Sequence, residues 1–459
     1  MAGWNPPRTE LPSAVLPSIT YPDLSTFSAR LYGALVTSKP VDFEDEQADA
    51  FAEDVPGNGV KIIGASALQN AGDQVVSAGT VLPWLLTALG APVGLVGLLV
   101  PIRESGSMLP QAALAPLIQR RTIRKWVWVT GAAVQGASAA AMALVAATTT
   151  GAAAGILILI ALTVFATGRS LCSISSKDVM ARTIPKGQRG QINGIATLAS
   201  GVVAVTIGLG IRLLGEGAVS NIVLAWLLIG AAFAWIGGLV VYSQIREPAA
   251  EPVEEDALNW LGDSWRLLRT DAPFRRFVMM RTLLLVSALS PPFLVALAAA
   301  GGAGFGGLGI FVMAQGIARM IGGRYFGRLA DRSSRRLMAN GALFASLLII
   351  ALLLVAQIPG MKGSVWLYSG GFFMLALIHT GVRVGRKTYI IDMAEPDQVA
   401  EYVAVSNTAM GILLFVTGAV NAALALLGAE VALTFLALLG LVGFAVARSM
   451  PEVSARAGN

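Results

Sequence analysis

The chain has 459 residues, 55% of them hydrophobic and only 13% charged, about half the charged share of a soluble globular protein. A soluble globule of that size would lack the polar surface it needs, so the composition points to an integral membrane protein. The net charge of +6 would suggest nucleic acid in a soluble chain; here the basic residues sit in short turns between apolar runs, the mark of membrane orientation, and nucleic acid is excluded as a partner. The single cysteine, Cys172, excludes an intrachain disulfide, and the single histidine, His379, excludes a histidine-built zinc site. No metal and no cofactor are expected.

Residues 1–57 read as a cytoplasmic tail, polar, broken by proline and acidic near its end (DFEDEQADAFAED). Within it Leu24, Phe27, Leu31 and Leu35 recur at helical spacing, which predicts a short amphipathic helix over 24–36 on the membrane surface. The start, MAGWNPPRTE, lacks the basic-then-apolar pattern of a cleaved leader, so the first membrane helix is expected to act as its own insertion signal. Twelve runs then follow, each long enough to cross a ~30 Å hydrocarbon core as a helix. They are placed at 60–88, 92–118, 125–148, 152–176, 189–213, 220–245, 277–299, 303–328, 336–357, 364–385, 400–427 and 430–448.

The turns alternate. Arg120, Arg121, Arg124 and Lys125 follow span two, Lys177, Arg182, Lys186 and Arg189 follow span four, and Arg266, Arg269, Arg275 and Arg276 precede span seven. Arg328, Arg332, Arg335 and Arg336 follow span eight, and Arg386 and Lys387 follow span ten. The intervening turns (LGAP, ATTTG, GEGAVS, AAGGAG, LLGAE) carry almost no positive charge. Positive residues stay on the cytoplasmic side, so both termini are expected there, in a plasma (inner) membrane.

Residues 58–245 form the first six-span bundle and 277–449 the second; 450–459 are a short C-terminal tail. Between the bundles, 246–276 is a charged, proline-broken linker whose Leu258, Leu261, Trp265 and Leu268 predict an interfacial helix. The bundles read as repeats. VSAGTVLPWLLTALG (76–90) parallels VSALSPPFLVALAAAG (286–301), QAALAPLIQRRTIRK (111–125) parallels GRYFGRLADRSSRRL (323–337), and IPKGQRGQINGIAT (184–197) has EPDQVAEYVAVSNT (395–408) at its matching place. Three pairings in order at a near-constant offset argue for internal duplication, the layout of many secondary transporters. The predicted fold is an all-α integral membrane protein of twelve transmembrane helices in two pseudo-symmetric six-helix bundles.

GRLADRSSRR (327–336) packs five charges into ten residues between spans eight and nine. The pattern G-x-L-A-D-R-x-x-R-R, carried by Gly327, Leu329, Ala330, Asp331, Arg332, Arg335 and Arg336, resembles the loop signature of the major facilitator superfamily. That family's better copy lies between spans two and three; here it is degraded to ALAPLIQRRTIRK, with Gln119 where the aspartate would be. The resemblance implies that such loops latch the two halves on the cytoplasmic face. The expected latches pair Asp331 with Arg189 at the positive N-terminus of span five, and Arg120 or Arg121 with Glu401 at the start of span eleven. The plainer alternative is that these charges only fix topology, as solvated pairs worth ~0–1 kcal/mol.

Few ionisable groups lie at mid-membrane, where each costs several kcal/mol without water or a partner. Asp73 is ~20 Å into span one, and Arg103 and Glu104 reach similar depth from the opposite face at 1.5 Å per residue. Adjacent on their helix, Arg103 and Glu104 point apart, so Arg103 is free to pair with Asp73 and Glu104 needs another partner or a proton. Glu104 and Asp73 are thus the proton-coupling candidates; a permanent Asp73–Arg103 bridge is the alternative. Substrate-binding candidates are Arg103, Arg169, Arg319, Gln74, Trp84, Gln315 and His379, with structural pairing or ordinary packing as the competing role of each.

GVRVGRKT (381–388) has the wrong spacing for a phosphate-binding loop and no strand before it, and no nucleophile elbow, HExxH or cysteine pair occurs. An enzyme is not expected. The favoured reading is a monomeric secondary transporter that rocks two halves around a central site. Its expected partners are the lipid bilayer, protons and a small organic solute, anionic or zwitterionic. Two other readings stay open: a transporter-shaped receptor or assembly partner, and a lipid exporter with a lateral opening.

Overall fold

The computed structural model describes residues 27–36, 53–185, 188–213, 221–249, 260–393 and 399–453. All regular structure there is helical. A short α1 (Phe27–Leu35) precedes the first half: α2 (Val55–Val75), α3 (Val81–Ala88), α4 (Val93–Gln119), α5 (Lys125–Thr148), α6 (Gly151–Thr183), α7 (Arg189–Leu213) and α8 (Asn221–Ser243). After α9 (Trp260–Thr270) comes the second half: α10 (Ala272–Leu283), α11 (Val286–Leu289), α12 (Pro291–Ala300), α13 (Phe305–Val355), α14 (Val365–Met393), α15 (Val399–Ala425) and α16 (Ala429–Ser449). Helix α13 contains two spans, separated by non-helical backbone at Ser333.

Among the described residues, eight helical stretches are long and apolar enough to cross a membrane. They are α5, α6, α8, the α10–α12 run, the second part of α13, α14, α15 and α16. The other four passages are α2 with α3, α4, α7 and the first part of α13. Three of these carry mid-membrane charge, at Asp73, Arg103, Glu104 and Arg319. Exposed Leu144, Ile160, Phe233, Phe344 and Leu438 lie on outer faces, where lipid tails replace water as solvent.

The halves repeat the same packing. In the first, α5 lies against α6 and α8, and α2 against α7 and α8; in the second, α13 lies against α14 and α16, and α10 against α15 and α16. The halves meet along α7–α13 and α4–α15. Both seams rely on small residues that let backbones approach, the usual device where no hydrophobic drive separates helix from lipid. A Cβ added at Gly208 of α7 would stand 2.8 Å from the Gly309 carbonyl oxygen of α13, and one at Gly97 of α4 would stand 3.0 Å from the Cα of Ala422 of α15. These approaches lie toward the end of the bundle whose turns carry little charge.

The VSA repeat marks a break in the first helix of each half. Residues 76–80 interrupt α2 and α3, and 284–285 and Ser290 interrupt α10, α11 and α12. Pro83 and Pro291 lack the N–H a continuous helix would use. Local turn bonds hold each break: Leu82 N–H donates to the Ser77 oxygen at 3.0 Å, and Ala288 N–H to the Leu285 oxygen at 2.9 Å.

Two described residues of the charged loop motif, Ser333 and Arg335, make their contacts within their own half. Ser333 Oγ accepts from Arg336 N–H at 3.1 Å and caps the second part of α13. Arg335 donates to the Met450 and Arg448 carbonyls at 2.9 and 3.2 Å, at the end of α16, and lies 3.4 Å from Glu452. The first half has the counterpart: Lys125 Nζ donates to the Ser243 and Ile245 carbonyls after α8 at 2.9 and 2.6 Å, while Glu247 accepts the Arg124 and Lys125 N–H groups. Spans three and nine are thus clamped to spans six and twelve.

Two flanking helices differ in detail from expectation. Helix α1 buries Ala29 and Tyr32, with Val36 just beyond it, while Phe27 is exposed; Leu24 lies outside the described residues. Tyr32 packs on Gly59 of α2 and donates to Gln188 Oε1 at 2.7 Å, so the helix docks on the bundle. In the linker, α9 forms with Trp265 exposed beneath the Arg269 guanidinium, and Leu267 and Leu268 packed on the second half; Leu258 and the Leu261 side chain lie outside the description.

Candidate functional site

A cavity of about 250 Å³ lies between the halves. Its walls are Ser77, Ala78 and Gly79 from the first helix break, Val100, Arg103, Glu104 and Met108 from α4, and Arg281, Leu285 and Ser287 around the second break. Gln315 and Arg319 of α13, Phe372, His379, Arg383 and Arg386 of α14, and Met410 and Leu414 of α15 also line it. These residues fall in the middle of their helices, and along α10 and α14 they extend toward the end carrying the basic turns. Both helix breaks face the cavity, where irregular backbone is tolerated because it lines a cavity.

Charge dominates the lining: five arginines stand against one carboxylate, Glu104. Behind the wall, Asp73 accepts from two guanidiniums at once, Arg103 at 2.9 Å and Arg169. The depth estimate brings Arg103 to Asp73; Arg169, 96 residues away in sequence, is the additional partner. Glu104 is held less closely, 4.0 Å from Arg103, with 41% of its side chain exposed.

Across the cavity the arginines are less matched. Arg281 is buried and donates through Nη1 to the Ser406 hydroxyl, while its Nε has no partner. The Arg386 Nε is also buried without a partner. Among the described residues no ion pair reaches Arg281, Arg319, Arg383 or Arg386.

The remaining candidates divide. His379 Nδ1 lies 3.2 Å from Ser287 Oγ on the cavity wall, and Gln315 lines it with Oε1 unpartnered. Gln74 is buried outside the lining, its Oε1 also unpartnered. Trp84 is fully buried at the seam between halves, against Gly307 of α13, and does not line the cavity. Of the expected latch, Arg120, Arg121 and Arg332 are exposed. Gly327 and the side chains of Gln119, Arg189, Asp331 and Glu401 lie outside the described ones, so both latch pairings do too.

Sequence reasoning missed Arg281 and Arg383, and it set Arg386 in a turn after a span ending at 385. Helix α14 instead runs to Met393, which places Arg383 and Arg386 one turn apart on the cavity side. The readable signal was the apolar run Tyr389, Ile390 and Ile391 beyond them, which continues the span.

Two six-helix halves around a polar central cavity, each opened by a broken helix, define a secondary transporter. The chain belongs to the Major Facilitator Superfamily, whose family profile matches residues 64–412. No curated protein matches the chain. Among solved structures it is similar to a D-xylose–proton symporter, with a TM-score of 0.64 and 13% identity over 86% of this chain and 98% of that one. It is also similar to a peptide-bound transporter of the POT family, at 0.65 and 12% over 84% and 94%, and to the inward-open xylose transporter XylE from E. coli, at 0.61 and 12% over 88% and 98%. At these identities the likeness concerns the fold.

Proposed function

We propose that the protein moves a small organic anion across the membrane by alternating access, with a proton carried by Glu104. The carrying observation is the cavity wall, five arginines and one carboxylate. Guanidinium groups stay charged at every physiological pH and present forked donors that match carboxylate and phosphate oxygens. A neutral solute would leave them uncompensated in a medium where that is costly.

Glu104 rather than Asp73 is the mobile site. Protonating Asp73 would give up two ion pairs at once, whereas Glu104 has one long approach to Arg103 and opens on the cavity. This narrows the pair of proton candidates to one, with Asp73 as the anchor of Arg103 and Arg169. The basic turns support a cytoplasmic assignment for the end toward which the cavity extends.

The test is uptake into proteoliposomes under an imposed pH gradient with a panel of organic anions. We expect Glu104→Gln to abolish gradient-driven accumulation while keeping exchange of internal for external substrate. Gradient-driven uptake at the wild-type level in Glu104→Gln would place the proton elsewhere. Transport of neutral solutes with no anion accepted would sink the anion reading.

A further inference from the structure

We infer that the substrate carries at least two negative charges and is gripped by the second half alone, through Arg281 and Arg386; this rests on the organic-anion reading above. The two halves neutralise their buried cations differently. In the first half Asp73 engages both Arg103 and Arg169, and Glu104 stands 4.0 Å from Arg103. In the second half Arg281, Arg319, Arg383 and Arg386 line the same cavity with no ion pair among the described residues, and Glu104 acts on Arg386 only at longer range across it.

Arg281 is 8% exposed, and the acceptor it has found is neutral, the Ser406 hydroxyl. That bond uses Nη1 and leaves Nε without an acceptor; the Arg386 Nε likewise has none, and both residues line the cavity. Buried donors without acceptors are rare in folded proteins and call for an explanation. A guanidinium cannot shed its charge, so what completes these groups must bring acceptors and negative charge together.

The number of charges follows from the count. A ligand with one carboxylate can bridge two guanidiniums at most, as Asp73 does, and leaves at least two of the four arginines unmatched. A ligand with two anionic groups, or one phosphate monoester, brings charge for the others too, and can reach Arg281 on α10 and Arg386 on α14 from the cavity they line, with charge-assisted bonds to each. Those two helices belong to the same half. The ligand would therefore travel with that half during rocking, while Glu104 on α4 approaches or leaves it across the cavity.

The experiment is thermal unfolding of the purified full-length protein in detergent, since a ligand that binds the folded state raises its melting temperature. Matched probes isolate charge from shape: succinate against succinamate, and phenyl phosphate against benzenesulfonate, at a pH where the first of each pair is doubly ionised. We expect at least one dianion to give its half-maximal shift at a concentration about tenfold or more below that of its monoanionic partner. The pair that responds tells dicarboxylate from phosphate ester. Arg281→Gln and Arg386→Gln should each remove that preference. Should either fail to fold, Arg386→Lys, which keeps the charge and loses the fork, should weaken dianion binding about tenfold.

Equal potency of dianion and monoanion would overturn the inference and leave anion transport standing. No shift with either dianion, or an unchanged dianion preference in the Arg386 and Arg281 variants, would overturn it as well. Loss of the organic-anion reading itself would show in the uptake assay, as neutral-solute transport.

Discussion

The two halves share a packing scheme, a broken first helix and a carbonyl clamp, yet they treat buried positive charge in opposite ways. The first half ties Arg103 and Arg169 to Asp73. The second leaves Arg281, Arg319, Arg383 and Arg386 open to the cavity. The scaffold occurs twice, and on the reading proposed above one copy neutralises its own buried charge while the other meets it with ligand. A rocking transporter gains from this, because a ligand held by one half alone need not be released from two walls at once.

The contrast can be broken most directly at Asp73. Asp73→Asn leaves two guanidiniums without their shared counter-charge, and loss of one partner of a buried pair costs ~3–5 kcal/mol. The apparent melting temperature in detergent should fall sharply, and Asp73→Glu should recover part of it. An unchanged melting temperature would mean that the network is solvated and that the halves do not differ.

Where the halves meet, Gly208→Val would push its side chain against the Gly309 backbone of α13. Overpacking of this kind costs ~1–3 kcal/mol. Because the contact lies toward the low-charge end, spin-label distances between α7 and α13 should lengthen there, with conformers open at that end gaining population. A seam that keeps its distances would show that it is not part of the moving contact.

The two clamps sharpen the comparison from the side of similarity. Lys125→Met and Arg335→Met each delete charged donors to two carbonyls, and each should cost about 1–2 kcal/mol. If one variant is silent while the other is not, the repeat is shared in sequence but not in energetics.

The smallest effect has the opposite sign. Arg386→Gln removes a charge with no ion pair among the described residues and should stabilise the ligand-free protein by about 1 kcal/mol, read as a higher melting temperature, while transport is lost; binding sites often trade stability for function in this way. Destabilisation by Arg386→Gln would instead mean that the arginine is already matched.

Much of this was legible without coordinates. Apolar runs, alternating basic turns and three ordered repeats define the twelve-span, two-half plan, because the bilayer requires long continuous helices and insertion sorts their flanking charges. Depth arithmetic at 1.5 Å per residue puts Asp73 and Arg103 in one layer and so makes their pairing possible. The VSA repeat was visible as a repeat, but its meaning as paired helix breaks was not, because a proline permits a break without dictating where the backbone turns.

What only the tertiary structure decided is which charges meet. Helical periodicity places a residue at a depth and on a face, and says nothing of which helix stands opposite. The contact of Arg169 on α6 with Asp73 on α2, and that of Trp84 with Gly307, could therefore not be read ahead of the fold. Arg383 and Arg386 read as a turn or not at all, because basic residues near a span's end ordinarily mark the interface. Only the packing of α14 against the other helices turns them into a cavity wall, since the dielectric around a guanidinium is set by its neighbours in space rather than in sequence.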